Sequence, residues 1–243
     1  MQAPWGAVLV CRPLQPYAEH FFTAGSLTLR DSEKEWNHVA AFAGVRPDQL
    51  RLLNQVHGRT IATAPSDAPA IWTRPEADGV ITADPSVALV VRIADCAPVL
   101  LADRRTGVAA AVHAGWRSTM QRIVPAAVEA LAANHGTDPR DVIAAIGPSL
   151  GTCCGEMGEE VVDSFRAAGH SEPTLSRWFV RQPGKRPHFD LWRANREQLE
   201  EAGVPAGSIH AAELCTRTYP EVFHSYRAQG ARAGRMAAVI RVR

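Results

Sequence analysis

Three short segments each end an apolar run on a side chain that can ligate a metal. In Asn54–Gly58 (NQVHG), His57 stands where a run meets a glycine. In Ala94–Asp103 (ADCAPVLLAD), Cys96 lies between a β-rich run and a proline. In Val108–Thr119 (VAAAVHAGWRST), His113 ends an apolar run. Loops held by a rigid scaffold commonly carry function. Two imidazoles and one thiolate suit zinc, and a catalytic zinc keeps its fourth position for a water whose proton is lost near neutral pH. The spacings are long, 39 residues from His57 to Cys96 and 17 from Cys96 to His113. With nine histidines in the chain, any one is more often a packed or surface group, so spacing alone does not assign the triad.

A second feature is Ile146–Glu160 (IGPSLGTCCGEMGEE): a buried run, a Gly-Pro pair, then the vicinal Cys153 and Cys154 before a helix. A cysteine at a helix start is favoured as thiolate by the dipole. The plainer reading is a tight turn filled by small side chains, and it is preferred because the pair lacks the Cys-x-x-Cys spacing. Glu156 is either a general acid or base or a helix N-terminal carboxylate. Near the C-terminus, Arg227, Arg232 and Arg235 offer planar donors to a phosphate, or form a solvated face. Asp190 reads first as an N-cap. There is no Gly-x-Gly-x-x-Gly or Walker loop, and the usual zinc-deaminase signature is missing.

The elements that must position these groups follow from periodicity. Strands are expected at Ala7–Cys11, Leu50–Val56, Gly79–Ala83, Val87–Ile93, Val99–Ala102, Val108–His113, Val142–Ile146, Ile209–Leu214 and Met236–Arg241. Helices are expected at Asp31–Gly44, Ser118–Asn134, Glu159–Ala168 and Leu191–Ala202, with Gly44 and Gly136 as stops. Pro125 either kinks its helix or starts the regular part. Ala64–Ala70 and Arg181–His188 read as surface loops rather than linkers. The sum is a mixed α/β chain with a large sheet component, read as one domain over 1–243.

Composition narrows the classes. Hydrophobic residues at 46% and charged residues at 21% are ordinary for a globular protein. A formal net charge of +1 gives no broad footprint for nucleic acid. No apolar run reaches membrane-spanning length, and the N-terminus lacks the basic flank of a signal peptide. Five cysteines, an odd count, argue against a secreted disulfide framework, so reduced thiols in the cytoplasm are expected.

NQVHG, ADCAPVLLAD, VHAGWRST, IGPSLGTCC with GEE, FDLWRANREQL and CTRTYPEVFHSYR follow one another in an order that resembles the YfiH, or laccase-domain, family. The likeness runs from about Leu50 to the C-terminus, and is looser before that. It implies an α/β/β/α layered fold of α+β type with mixed sheets. It implies a metal, zinc before copper, on His57, Cys96 and His113. It also implies action on a small-molecule nucleoside and phosphate: phosphorolysis of adenosine, inosine, guanosine and methylthioadenosine, and adenosine deamination. Copper-dependent phenol oxidation and removal of a misplaced L-serine from a peptidoglycan precursor are the alternatives that the resemblance also carries. Within it, Asp95 and Glu156 are the candidate proton carriers, with Asp95 alternatively bracing its loop. Arg117, Arg227 and Arg235 are the candidate contacts to substrate or phosphate, with helix-start packing the alternative for Arg117. Many members carry an arginine and a Gly-Gly pair after the first strand. Here that stretch is His20–Asp31, with Ala24 near the arginine position, so Arg30 or a C-terminal arginine is expected to substitute.

Overall fold

The structure, a computed structural model, describes residues 1–64 and 72–243. In chain order its strands are β1 (Gln2–Ala3), β2 (Gly6–Leu9), β3 (Ala18–Thr23), β4 (Leu50–Arg51), β5 (Ile61–Thr63), β6 (Gly79–Thr82), β7 (Ala88–Ile93), β8 (Ala97–Asp103), β9 (Ala109–Ala114), β10 (Val142–Ile146), β11 (Phe179–Val180), β12 (His188–Phe189), β13 (Ile209–Ala211) and β14 (Met236–Val242). The helices are α1 (Glu33–Ala43), α2 (Trp116–Met120), α3 (Ile123–His135), α4 (Glu159–Ala167), α5 (Glu172–Trp178), α6 (Leu191–Glu201) and α7 (Tyr226–Gln229). One six-stranded sheet runs β1-β2-β3-β14-β7-β4 and a second runs β13-β10-β8-β9-β6-β5. Both are mixed: β4 joins β7, β5 joins β6 and β13 joins β10 in parallel, while the other neighbours are antiparallel.

Side-chain alternation sets the layers, since successive residues of a strand face opposite sides. On β14, Ala238, Ile240 and Val242 meet Leu100 and Ala102 of β8 in a core between the sheets. The intervening Ala237 and Val239 face away, onto Trp36, Val39 and Ala40 of α1. On β8, Val99 and Leu101 face Ile123, Val124, Ala127 and Leu131 of α3 and Ala194 and Leu199 of α6. The order is therefore helix, sheet, sheet, helices: the α/β/β/α arrangement that the family resemblance implies. Every residue of β8, β9 and β10 is buried, and strands covered on both faces read as unbroken apolar runs.

The local signals explain most boundaries. The Ser32 hydroxyl accepts from the Glu35 N–H at the start of α1, and Gly44 ends it at φ +71°. Asp190 caps α6 by accepting from the Arg193 N–H, as read from the sequence. The helix expected over Ser118–Asn134 is two, α2 and α3, parted at Arg122 in the left-handed region. Pro125 lies in the first turn of α3, where no partner for its missing N–H is required. The expected strand Leu50–Val56 stops at Arg51, and Ile209–Leu214 stops at Ala211. Helix α5, capped by Ser171, was not anticipated. Apart from Ala64, the loop expected at Ala64–Ala70 lies outside the described residues.

Candidate metal centre and cavity

Sheet register brings the three candidate ligands to one place. β8 and β9 are antiparallel, with Ala97 opposite Ala114 and Pro98 opposite His113. Cys96, one residue before β8, therefore lies at the end where β9 delivers His113. β6 pairs antiparallel with β9, Gly79 opposite Val112, and the His113 N–H donates to the Asp78 carbonyl at 2.7 Å. β5 runs parallel to β6 with Ile61 beside Gly79, so the chain just before it, carrying His57, enters from the same end. The donor atoms of His57, Cys96 and His113 all lie within 4.8 Å of one another. The two imidazoles sit edge to face, 4.9 Å between centroids and 78° apart.

The backbone that presents His57 is held by a buried carboxylate. Asp78 Oδ2 accepts from the N–H groups of Val56 (3.2 Å) and Gly58 (2.7 Å), and Oδ1 from that of His57 (3.0 Å). Three successive N–H groups make a nest for an anion, and here the anion is the protein's own. To form it His57 takes φ +61°, a region unfavourable to a residue with a Cβ. Asp78 Oδ1 also pairs with His113 Nδ1 at 2.8 Å, which leaves Nε2 as the free ligand atom. A carboxylate behind a ligating histidine fixes its tautomer and ring orientation. On the other side, Gln55 replaces the lost backbone ladder: its amide donates to the Arg92 carbonyl and accepts from the Arg92 N–H, both at 2.8 Å. The clamp stands where the expected strand would have continued.

The electrostatics of the group suit a cation. Burial would raise the Cys96 thiol, but the adjacent His113, with hydrogen bonds from both imidazoles, brings it from 9.0 down to about 6. Burial would lower His113, but the Cys96 thiolate and the Asp78 carboxylate raise it from 6.5 to about 9. Each group thus favours the charged form of the other, and a cation could take the place of the shared proton. Space also fits. A Cβ on Gly115 would lie 2.8 Å from Cys96 Sγ and 3.4 Å from the His57 ring, so glycine keeps the ligand cradle open. His113 is buried, Cys96 half-buried and His57 exposed, which leaves one side of the group facing a cavity. A two-histidine, one-cysteine set with an open side matches a catalytic rather than a structural site.

That cavity measures about 850 Å³, within the roughly 300–1,000 Å³ usual for small-molecule sites. Asp95, Arg117, Arg227 and Arg235 all line it, beside His57, Cys96 and His113. Arg30 lines it too, whereas Ala24 is buried. Glu156 does not: its side chain is exposed and faces Arg186 at 3.9 Å, and only its carbonyl turns toward the site, accepting from Arg227 at 2.9 Å. Asp95, at φ +89°, accepts from the Thr216 hydroxyl at 2.7 Å and the Arg227 N–H at 2.6 Å. Arg117 stacks over Trp116 at 4.2 Å.

Two residues of the site escaped the sequence reading. Asp78 is one; its only signal was an acid directly before the fully buried strand β6. Arg92 is the other, a charge near the end of the apolar run β7. Its half-buried guanidinium meets no acceptor among the described residues. Burial, then the like charges of Arg74 and Arg235, pull its pKa below the usual arginine value, against the opposing pull of Asp31. An arginine so placed in a cavity wall has donors free to meet an anion.

Residues 30–243 match the family described as multi-copper polyphenol oxidoreductase laccase. The chain is 42% identical over 205 residues to a purine nucleoside phosphorylase of Deinococcus radiodurans, covering 83% of this chain and 74% of that protein. It is 35% identical over 204 residues to "Adenosine deaminase RL5" of an unknown prokaryotic organism, covering 81% and 76%. Among solved structures, YlmD from Geobacillus stearothermophilus superposes with a TM-score of 0.85 at 28% identity, over 96% of this chain and 94% of that one.

Proposed function

On the premise that this chain belongs to the laccase-domain family, matched over residues 30–243, we propose that it is a zinc-dependent enzyme of purine nucleosides. It would cleave them with phosphate and deaminate adenosine in the same cavity. The observation that carries the reading is the half-buried, acceptor-free Arg92 sharing one cavity with the His57, Cys96 and His113 donor set. An anion site beside a cation site is what a phosphate and a nucleoside require together. The names of the Deinococcus and RL5 relatives agree with the two activities.

A zinc ion on His57, Cys96 and His113 would supply Lewis acidity and a lowered pKa for water. The protein's own groups do the rest. For phosphorolysis, Arg92 and Arg235 hold phosphate from the wall, with Arg30 and Arg117 adding positive field. They orient an oxygen at the ribose C1′ and offset charge as the bond from C1′ to the base breaks. Arg30 and Arg227 are anchored to backbone carbonyls, Arg30 to Ala231 and Ala233 and Arg227 to Cys154 and Glu156, so their forks are preorganised. Met157, Leu150, Phe189 and Leu191 give apolar wall for the purine and exclude bulk water. For deamination, water adds at C6 of adenine and ammonia leaves. Asp95, held by Thr216 and Arg227, is the carboxylate placed to carry the proton between them. Asp78 positions His113 and His57 without touching substrate.

The test is Arg92→Gln with adenosine, with and without phosphate. Losing one donor to developing charge costs about 10²–10³ in rate, so phosphorolysis should fall by that factor while phosphate-independent release of inosine is spared. Equal loss of both activities, or of neither, would remove Arg92 as the phosphate anchor.

The family description and the two-histidine, one-cysteine set also fit copper. Among the described residues only one group contains histidine, which does not supply the several histidine-rich copper sites of a multicopper oxidase. Assay of the same sample for serine release from a peptidoglycan precursor covers the remaining alternative.

A further inference from the structure

A second group of soft donors lies outside the cavity lining. Cys153 and Cys154 belong to the short turn Thr152–Cys154, and Cys215 follows β13. Their sulfurs all lie within 4.8 Å of one another, with Cys153 and Cys154 3.6 Å apart. The fold holds them there. Ser149 and Cys215 form a parallel bridge, with the Ser149 N–H donating to Leu214 at 3.1 Å and the Thr216 N–H to Ser149 at 3.0 Å. Gly151 allows the close approach: a Cβ there would sit 3.1 Å from Cys215 Cβ and 2.6 Å from the Trp192 ring.

We propose that Cys153, Cys154 and Cys215 form a second metal site, an all-sulfur pocket for a thiophilic d¹⁰ cation, Zn²⁺ or Cu⁺. With metal–sulfur bonds of about 2.3 Å, three thiolates around one ion sit roughly 3.8–4.0 Å apart, so the observed separations need only small rotations about χ1. Thiolate donors select these two ions over harder ones. The Thr218 hydroxyl stands 3.4 Å from Cys153 Sγ and 3.7 Å from Cys154 Sγ and also bonds Cys215. One hydroxyl carries one proton and cannot satisfy three sulfurs. Burial would raise Cys215, but Thr218 and nearby backbone N–H groups bring it down to about 7, while burial pushes its neighbour Cys153 up. Binding would release the remaining thiol protons to solvent. A closed disulfide between the neighbours Cys153 and Cys154 would instead demand strained geometry.

The site has a consequence for the cavity. The Cys154 carbonyl accepts from the Arg227 side chain at 3.3 Å, and Thr216, next to Cys215, holds Asp95. An ion joining the two segments would fix the wall that carries Arg227 and Asp95. The inference does not depend on the nucleoside reading.

The test uses full-length protein stripped by chelator, kept in a non-thiol reductant, and loaded with Zn²⁺, Co²⁺ or Cu⁺. Wild type should retain two equivalents of Zn²⁺ after dialysis. Cys153→Ser/Cys154→Ser should retain one, and Cys96→Ser should also retain one. In Cys96→Ser, Co²⁺ should still give a thiolate charge-transfer band, lost when Cys153→Ser/Cys154→Ser is added. Cu⁺ affinity, read against a chromophoric chelator in the Cys96→Ser protein, should fall more than about 100-fold in the same triple variant, since even outer-shell partners are worth 10–100-fold. Cys153 and Cys154 are exposed or half-buried, so these variants should fold. Cys215→Ser, at a buried position, is a supporting variant, with circular dichroism as its control. The proposal is overturned if the Cys96→Ser protein holds neither Zn²⁺ nor Cu⁺, or holds an equivalent that survives loss of Cys153 and Cys154.

Discussion

Asp78→Asn separates what the centre owes to a charge from what it owes to shape. The side chain is fully buried and all four of its contacts are with N–H groups: Val56 and Gly58 on one oxygen, His57 and His113 on the other. Asparagine keeps the volume but turns one oxygen into a donor. Either orientation then sets that donor against two N–H groups. At about 1–3 kcal/mol for each buried donor left unmet, the variant should lose about 2–6 kcal/mol. For a chain of this size that lowers Tm by at least about 4 °C. The pH dependence follows in sign. The Asp78 pKa is held below 3.8: burial opposes this, but the pairing with His113 and the backbone N–H groups outweighs it. The stability conferred by the carboxylate is therefore complete at neutral pH and lost as pH falls through its depressed pKa. A protonated Asp78 carries the same misplaced donor as asparagine, so the gap between wild type and variant should narrow below 3.8. Metal affinity at pH 7.5, read by competition with a chelator, should fall about 10–100-fold as for other outer-shell ligands. Urea unfolding across pH, with metal competition on the same samples, gives both numbers. A variant with wild-type stability and wild-type affinity would refute the account of how His57 and His113 are held.

Gly115→Ala should keep the fold, because Gly115 has φ −78°, yet cut Zn²⁺ affinity about tenfold or more, because the new Cβ lies 2.8 Å from Cys96 Sγ. Unchanged affinity by chelator competition would show that the cradle has room to spare. In metal-free protein, alkylation of Cys96 by iodoacetamide, followed by mass spectrometry, should reach half its maximal rate near pH 6, because the thiolate is present above that value. A midpoint near 9.0 would mean His113 does not stabilise the thiolate. Trp178→Ala removes a fully buried ring packed on Phe165 and His170 and should cost about 3–5 kcal/mol in urea unfolding; a loss under about 1 kcal/mol would contradict its place in the core.

The buried strands were legible because unbroken apolar runs such as Val99–Ala102 and Val108–Val112 leave a strand no exposed face, and Gly44 and Asp190 because they carry their cap chemistry in their own side chain or lack of one; the layer order came from the likeness to the laccase-domain family. The His57, Cys96 and His113 segments stood out for ending such runs on soft donors. Asp78 did not, since a nest is made by backbone N–H groups that any sequence offers. Arg92 did not, since its meaning lies in the partner it lacks. The break of the long helix at Arg122 was hidden by a left-handed residue that is not glycine. Glu156 was selected by its neighbours in sequence, yet the turn before α4 sends its side chain outward toward Arg186 and its carbonyl inward toward Arg227. Cys215 lies 61 residues from Cys154 along the chain, and only the bridge to Ser149 brings it beside the pair.

The most direct measurement follows adenosine by mass spectrometry, with and without phosphate, across three preparations: chelator-stripped protein, the same protein reloaded with Zn²⁺, and reloaded His113→Ala. Reloaded wild type should yield adenine and ribose 1-phosphate when phosphate is present and inosine when it is not, while the stripped protein and the variant yield neither. Turnover that survives stripping or loss of His113, or a fully loaded enzyme that leaves adenosine intact, would contradict the assignment of nucleoside chemistry to this centre.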